Sequence, residues 1–146
     1  MKMRLVFLSL FLFCVTKASS AEGAVSGPSA IISAYSAAWN TQNLEQMAAL
    51  MHPDIEWLSV NGSETTVETQ GKAALVNAMR EWFASPNLPS GSLRDWSING
   101  HFVAVTETAS WLDKTQQLQS QSALTVYELT DNLIRRVYYY PSVKNE

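Results

Sequence analysis

From Leu93 to Tyr140 the chain keeps a period of two. The runs "LRDWSI", "HFVAVTETASWL", "SQSALTVYEL" and "LIRRVYYY" are rich in β-branched and aromatic residues. They are separated by Asn99-Gly100, by the polar stretch "DKTQQLQ" and by Asp131-Asn132. Alternation at this period predicts strands, and Asn-Gly and Asp-Asn pairs between them predict tight hairpins. Four antiparallel strands in succession present one apolar face that must be covered, so the covering layer has to come from the residues upstream.

Those residues change to a helical period. Ser29 is placed to cap a first helix carrying Ile31, Ile32, Tyr35 and Trp39 on one face. Thr41 or Asn43 would cap a second, with Leu44, Met47, Ala48 and Met51 on its face. His52-Pro53 would end it, because proline disfavours a helical residue before it. The imidazole of His52 would sit favourably at that helix end. "DIEWLSV" at 54–60 then alternates, with Ile55, Trp57 and Ser59 on one face and Glu56, Leu58 and Val60 on the other. Asn61-Gly62 turns it into "ETTVETQ". Gly71 opens a third helix, "KAALVNAMREWFAS", striped by Leu75, Ala78, Met79, Trp82 and Phe83, and "PNLPSGS" breaks it. Helices bunched early and strands bunched late predict an α+β domain with helices on one face of a curved antiparallel sheet.

The first 21 residues are set apart from this pattern. A basic tip (Lys2, Arg4), an apolar run from Leu5 to Val15 and small residues at Ser19 and Ala21 read as a cleaved signal peptide and imply a secreted or periplasmic protein. Residues 22–28, small and flexible, read as a linker, and 29–143 as one domain. Setting aside Lys2, Arg4 and Lys17 leaves seven basic residues against 13 acidic ones, a net charge of −6. That balance speaks against nucleic acid or an anionic membrane surface as partner, and the domain itself is not expected to insert in a membrane. Its single cysteine, Cys14, falls in the leader, so the core needs no disulfide. The two histidines, His52 and His101, are far apart in sequence and no ligand cluster surrounds them, so no metal is expected. No phosphate-binding loop, dinucleotide glycine motif or nucleophile elbow occurs, and no cofactor is expected.

Three stretches, "YSAAWNTQNLEQMAALMHPDIEW", "TQGKAALVNAMREWF" and "YELTDNLIRRVYYYP", occur in an order and spacing that resembles the nuclear-transport-factor-2-like superfamily. That superfamily includes SnoaL-like polyketide cyclases, ketosteroid isomerase and limonene epoxide hydrolase. The resemblance covers nearly all of the chain after the leader. It implies a cone, a cystatin-like roll in which the sheet curls round three N-terminal helices and leaves a pocket at its wide end. It also implies a small apolar ligand there and a homodimer. Fold alone fixes no reaction.

The candidate residues follow from alternation. Arg135, Val137 and Tyr139 share one face of the last strand, and Ile134, Arg136, Tyr138 and Tyr140 the other. Which face looks into the pocket is open, so Arg136, Tyr138 and Tyr139 are all candidates for ligand binding, with Trp57 and Tyr127. The plainer alternative is that the tyrosines are packing residues whose hydroxyls need partners. The resemblance implies a carboxylate base near the end of the last strand, where this chain has Tyr139. A phenol is a poor base at neutral pH and a good hydrogen-bond donor. Glu107, mid-strand with Val103, Val105, Ala109 and Trp111 on its own face, is the candidate catalytic carboxylate, with Tyr139 or Tyr138 to hold a substrate oxygen. The plainer alternatives for Glu107 are a salt bridge to Arg135 or Arg136, or an exposed place on the sheet. Three functions remain in play: a small-molecule binding domain, a proton-transfer enzyme and a protein-interaction module.

Overall fold

The computed structural model describes residues 27–145. The expected signal peptide, and most of the linker, lie outside the described residues. The first helix, α1 (Pro28–Asn40), starts two residues earlier than a Ser29 cap would allow. Gly27, at φ 89°, takes the capping position and Pro28 sits in the first turn, where its missing N–H costs nothing. The second, α2 (Leu44–Ala49), is capped by Asn43, whose side chain accepts from the Gln46 backbone N–H at 3.0 Å. It ends before Met51 and His52, which were expected on it. Both belong to strand β1 (Met51–Asn61), so His52 caps no helix. The cause is a tertiary bond: the Ile134 N–H donates to the Leu50 carbonyl at 2.9 Å and draws the chain into the sheet.

After β1 come β2 (Glu64–Gln70), α3 (Lys72–Phe83), β3 (Ser90–Asn99), β4 (Phe102–Leu112), β5 (Leu118–Thr130), β6 (Leu133–Tyr139) and the two-residue β7 (Val143–Lys144). The sheet runs β2-β1-β6-β5-β4-β3, with β7 beside β5. It is curved and unclosed. All pairings are antiparallel except that of β1 with β6, which is parallel. The turn at Asp131-Asn132 has φ 52° and 60°, the left-handed pair that matches hairpin twist. Gly71, at φ 89°, lets its N–H reach the Ile55 carbonyl at 2.7 Å and swings the chain from β2 into α3.

The core lies between the concave face of the sheet and the three helices. Ile31 and Ile32 from α1, Met79 from α3, Ile55 from β1 and Val105 and Val137 from the sheet are wholly buried. A register shift between Glu128 and Leu129 breaks the simple alternation of β6. Ile134, expected on the face of Arg136, is buried in the core instead, while Arg136 stands opposite Glu128 on the outer face. Such bulges also increase local twist and help the sheet curl.

Candidate functional site

Between α1, α3 and the concave side of β1, β3, β4 and β6 lies a cavity of about 230 Å³. Its walls are mostly aromatic. The Trp57 ring stacks on Trp82 with centroids 5.3 Å apart and meets Tyr139 edge-on at 5.4 Å. Trp39 meets Trp82 at 6.3 Å and Phe83 at 5.2 Å, both edge-on. Such offset and T-shaped pairs satisfy the ring quadrupoles and stiffen the wall. At the rim, the Asn40 side chain donates to the Gly91 carbonyl at 2.8 Å and accepts from the Gly91 N–H at 2.7 Å, fixing the end of α1 to the start of β3. The Trp39 indole N–H donates to the Pro89 carbonyl at 3.3 Å beside it.

Glu107 is the charged residue in this lining. β4 aims it inward, in the same file as the buried Val103 and Val105. The Tyr127 hydroxyl donates to its Oε1. Burial pushes the Glu107 carboxyl above the usual carboxylate range, and the Tyr127 bond offsets part of that rise. Three phenols crowd round it. Tyr35 from α1, Tyr127 from β5 and Tyr139 from β6 are each raised above the ordinary tyrosine value, first by burial and then by the negative charge of Glu107. All three therefore stay neutral donors at neutral pH. Tyr35 Oη, Trp57 Nε1 and Thr125 Oγ1 are buried without a well-formed hydrogen bond among the described residues, although Trp57 lies near enough to Tyr35, and Thr125 to Glu107, to offset part of the rise in each acid's pKa. A buried polar atom left unpaired costs about 1–3 kcal/mol, so the two on cavity-lining side chains, Tyr35 Oη and Trp57 Nε1, mark it as a place where a polar group is awaited.

Of the six residues singled out from the sequence, Trp57, Glu107, Tyr127 and Tyr139 line this cavity together. Arg136 and Tyr138 do not. Strand alternation sends them to the outer face, where Arg136 Nε donates to Glu56 at 2.6 Å, its Nη1 reaches Glu128 at 3.2 Å and the Tyr138 hydroxyl donates to Glu128 at 3.3 Å. Glu107 makes no salt bridge to Arg135 or Arg136. Arg135 instead donates to the Asp54 carbonyl and to Glu56. Tyr35, Trp39 and Trp82 line the cavity and were read from the sequence as helix core. Helical period says which face turns inward, not whether that face meets side chains or space. The available signal was chemical: these three carry polar atoms on stripes otherwise made of wholly apolar side chains. Among the described residues, no group of three His, Cys, Asp or Glu could hold a metal ion.

The arrangement can act in two ways. Protonated, Glu107 accepts from Tyr127 on one oxygen and can donate from the other to a guest. Ionised, it offers a negative charge in an aromatic enclosure.

A family model described as SnoaL-like domain matches residues 32–137. No curated protein is significantly similar in sequence. Several solved structures share the fold. The Δ5-3-ketosteroid isomerase from Mycobacterium sp. is 16% identical with a TM-score of 0.64, over 81% of this chain and 98% of that one. A protein of ketosteroid-isomerase-like fold from Catenulispora acidiphila DSM 44928, in complex with trimethylamine, is 16% identical with a TM-score of 0.62, over 77% and 85%. An LEH-like epoxide hydrolase from M. tuberculosis is 14% identical with a TM-score of 0.62, over 75% and 78%.

Proposed function

This chain belongs to the SnoaL-like domain family, within the nuclear-transport-factor-2-like superfamily, and from that premise we propose that its cavity binds a small apolar or amphipathic molecule bearing one polar group. The carrying observation is the convergence of Glu107, Tyr35 Oη and Trp57 Nε1 on an aromatic space of about 230 Å³, the last two without a well-formed hydrogen bond among the described residues. Aromatic walls with a few convergent polar groups are the common make-up of small-molecule sites. That a neighbour of the same fold holds trimethylamine supports the fold as a container for small organic guests. The leader pattern supports a secreted or periplasmic setting, and the superfamily supports a homodimer.

The test is a thermal-shift panel of small hydrophobic and amphipathic compounds. A binder held at 100 times its Kd stabilises the fold by about 2.7 kcal/mol, and replacing Trp57 by Ala should remove the shift. A panel with no shift at all would count against the reading.

A second reading, a proton-transfer enzyme, is favoured by the meeting of Glu107 with the Tyr127 hydroxyl. In it Glu107 moves the proton and Tyr35 or Tyr139 steadies the substrate oxygen. Turnover of an enolisable ketone that Glu107→Gln lowers by about 100-fold or more would establish it. Binding without turnover leaves the first reading.

A further inference from the structure

The aromatic walls account for an apolar guest but not for Glu107. No lysine, arginine or histidine lines the cavity. The arginines of β6 are held elsewhere, Arg135 by Asp54 and Glu56, Arg136 by Glu56 and Glu128. A carboxylate taken out of water without a cation is expensive, and here only neutral hydroxyls, those of Tyr127 and Thr125, ease it. A neutral hydrocarbon guest would leave that deficit standing. An anion would worsen it.

The rings beside Glu107 are disposed to meet a cation. Trp57, Trp82 and Trp39 follow one another at 5.3 and 6.3 Å, and Tyr139 closes on Trp57 at 5.4 Å. Indole and phenol rings carry negative potential on their faces and attract ammonium groups, quaternary ones included, best where water is displaced. One oxygen without a well-formed hydrogen bond stands in the same lining, Tyr35 Oη, on a residue 4% exposed.

The geometry points to a small organic cation of the methylated-ammonium class as the guest, its methyl groups against Trp39, Trp57, Trp82 and Tyr139 and its charge toward Glu107. This rests on the cavity being a binding site and names the chemistry of its occupant. One atom favours a different guest: the Trp57 indole N–H is a donor and would suit a neutral carbonyl better. The experiment therefore sets charge against shape.

The purified protein is titrated calorimetrically with choline and with 3,3-dimethylbutan-1-ol, which has the same shape with carbon in place of nitrogen. At pH 8 choline should bind about tenfold tighter or better, the scale of a desolvated cation–π contact joined to a counter-charge. The preference should shrink as pH is lowered stepwise from 8, as Glu107 takes up a proton. The titratable groups facing it, Tyr35 from α1, Tyr127 from β5 and Tyr139 from β6, stay neutral over that interval, and β1 and β3 present none to it. Glu107→Gln should abolish the preference while the alcohol's affinity holds within about twofold. The pH series on the unmodified protein gives the same reading should that variant fold poorly. Equal binding of the two probes, or tighter binding of the alcohol, overturns the cation and leaves the binding site standing. Failure of both probes to bind at any pH tells against cation and site together.

Discussion

Glu56 on β1 and Glu107 on β4 are carboxylates of one sheet, on opposite faces of it. Glu56 faces outward, its side chain 14% exposed, and receives Arg136 Nε at 2.6 Å and Arg135 Nη1 at 3.3 Å. Its carboxyl is held below the usual range, first by the Arg136 bond. Glu107 faces inward, receives a phenol and is raised by burial. The outer face supplies its own counter-charges from residues of the chain. The inner face leaves a carboxyl without a cation and three polar atoms without a well-formed hydrogen bond. The same residue type thus serves architecture on one side and awaits something external on the other.

Three substitutions would break or sharpen this contrast. The largest effect is expected from Arg136→Met. It leaves Glu56 and Glu128 facing each other with their main cation gone, which should cost about 1–3 kcal/mol in urea denaturation at pH 7. Because Glu56 has a lowered folded-state pKa, its stabilisation is present above its ordinary value of 4.5 and fades as pH falls through the lower folded value. The penalty should therefore shrink at pH 3. An equal penalty at both pH values would mean that the guanidinium acts through packing rather than charge.

Glu107→Gln should act with the opposite pH sign. A carboxyl raised by folding binds its proton more tightly in the native state, so the unmodified protein loses stability as pH climbs from the unfolded value through the raised folded one. The glutamine variant lacks that slope and should gain on the parent between pH 4 and pH 8, by about 1 kcal/mol or less once the Tyr127 bond is re-formed. Parallel stability curves across that interval would show that Glu107 is not sequestered from water.

The smallest change is expected from Tyr138→Phe. It removes a single 3.3 Å bond to a Glu128 that still holds Arg136, and should cost under about 1 kcal/mol. A larger loss would move Tyr138 into the class of the inward tyrosines.

Much of this contrast was legible before any coordinates. Period alone put Trp57 on one face of its strand and Glu56 on the other, and separated Tyr139 from Arg136 and Tyr138. It could not say which set looked inward, because that depends on where the helices lie. It misplaced Ile134, since the register shift at Glu128 and Leu129 exists only between two strands and leaves no mark on one. It missed Tyr35, Trp39 and Trp82 because a helix stripe looks alike over a packed core and over a hollow. The end of α2 was misjudged for a related reason: a backbone bond from Ile134, more than eighty residues away, decided it.

The parallel seating of β6 between β1 and β5 has a consequence for how the molecule is made. A ribosome delivers the β1–β2 hairpin early and the β3–β4–β5 meander later, and neither pairs directly with the other. The seven residues Leu133–Tyr139 join them and leave the exit tunnel after every other strand but β7. Until then the nascent chain carries two half-sheets with bare edges, and the hollow has no floor. Contacts of such long sequence separation form late and slowly, so the hollow gains its floor only when β6 takes its seat.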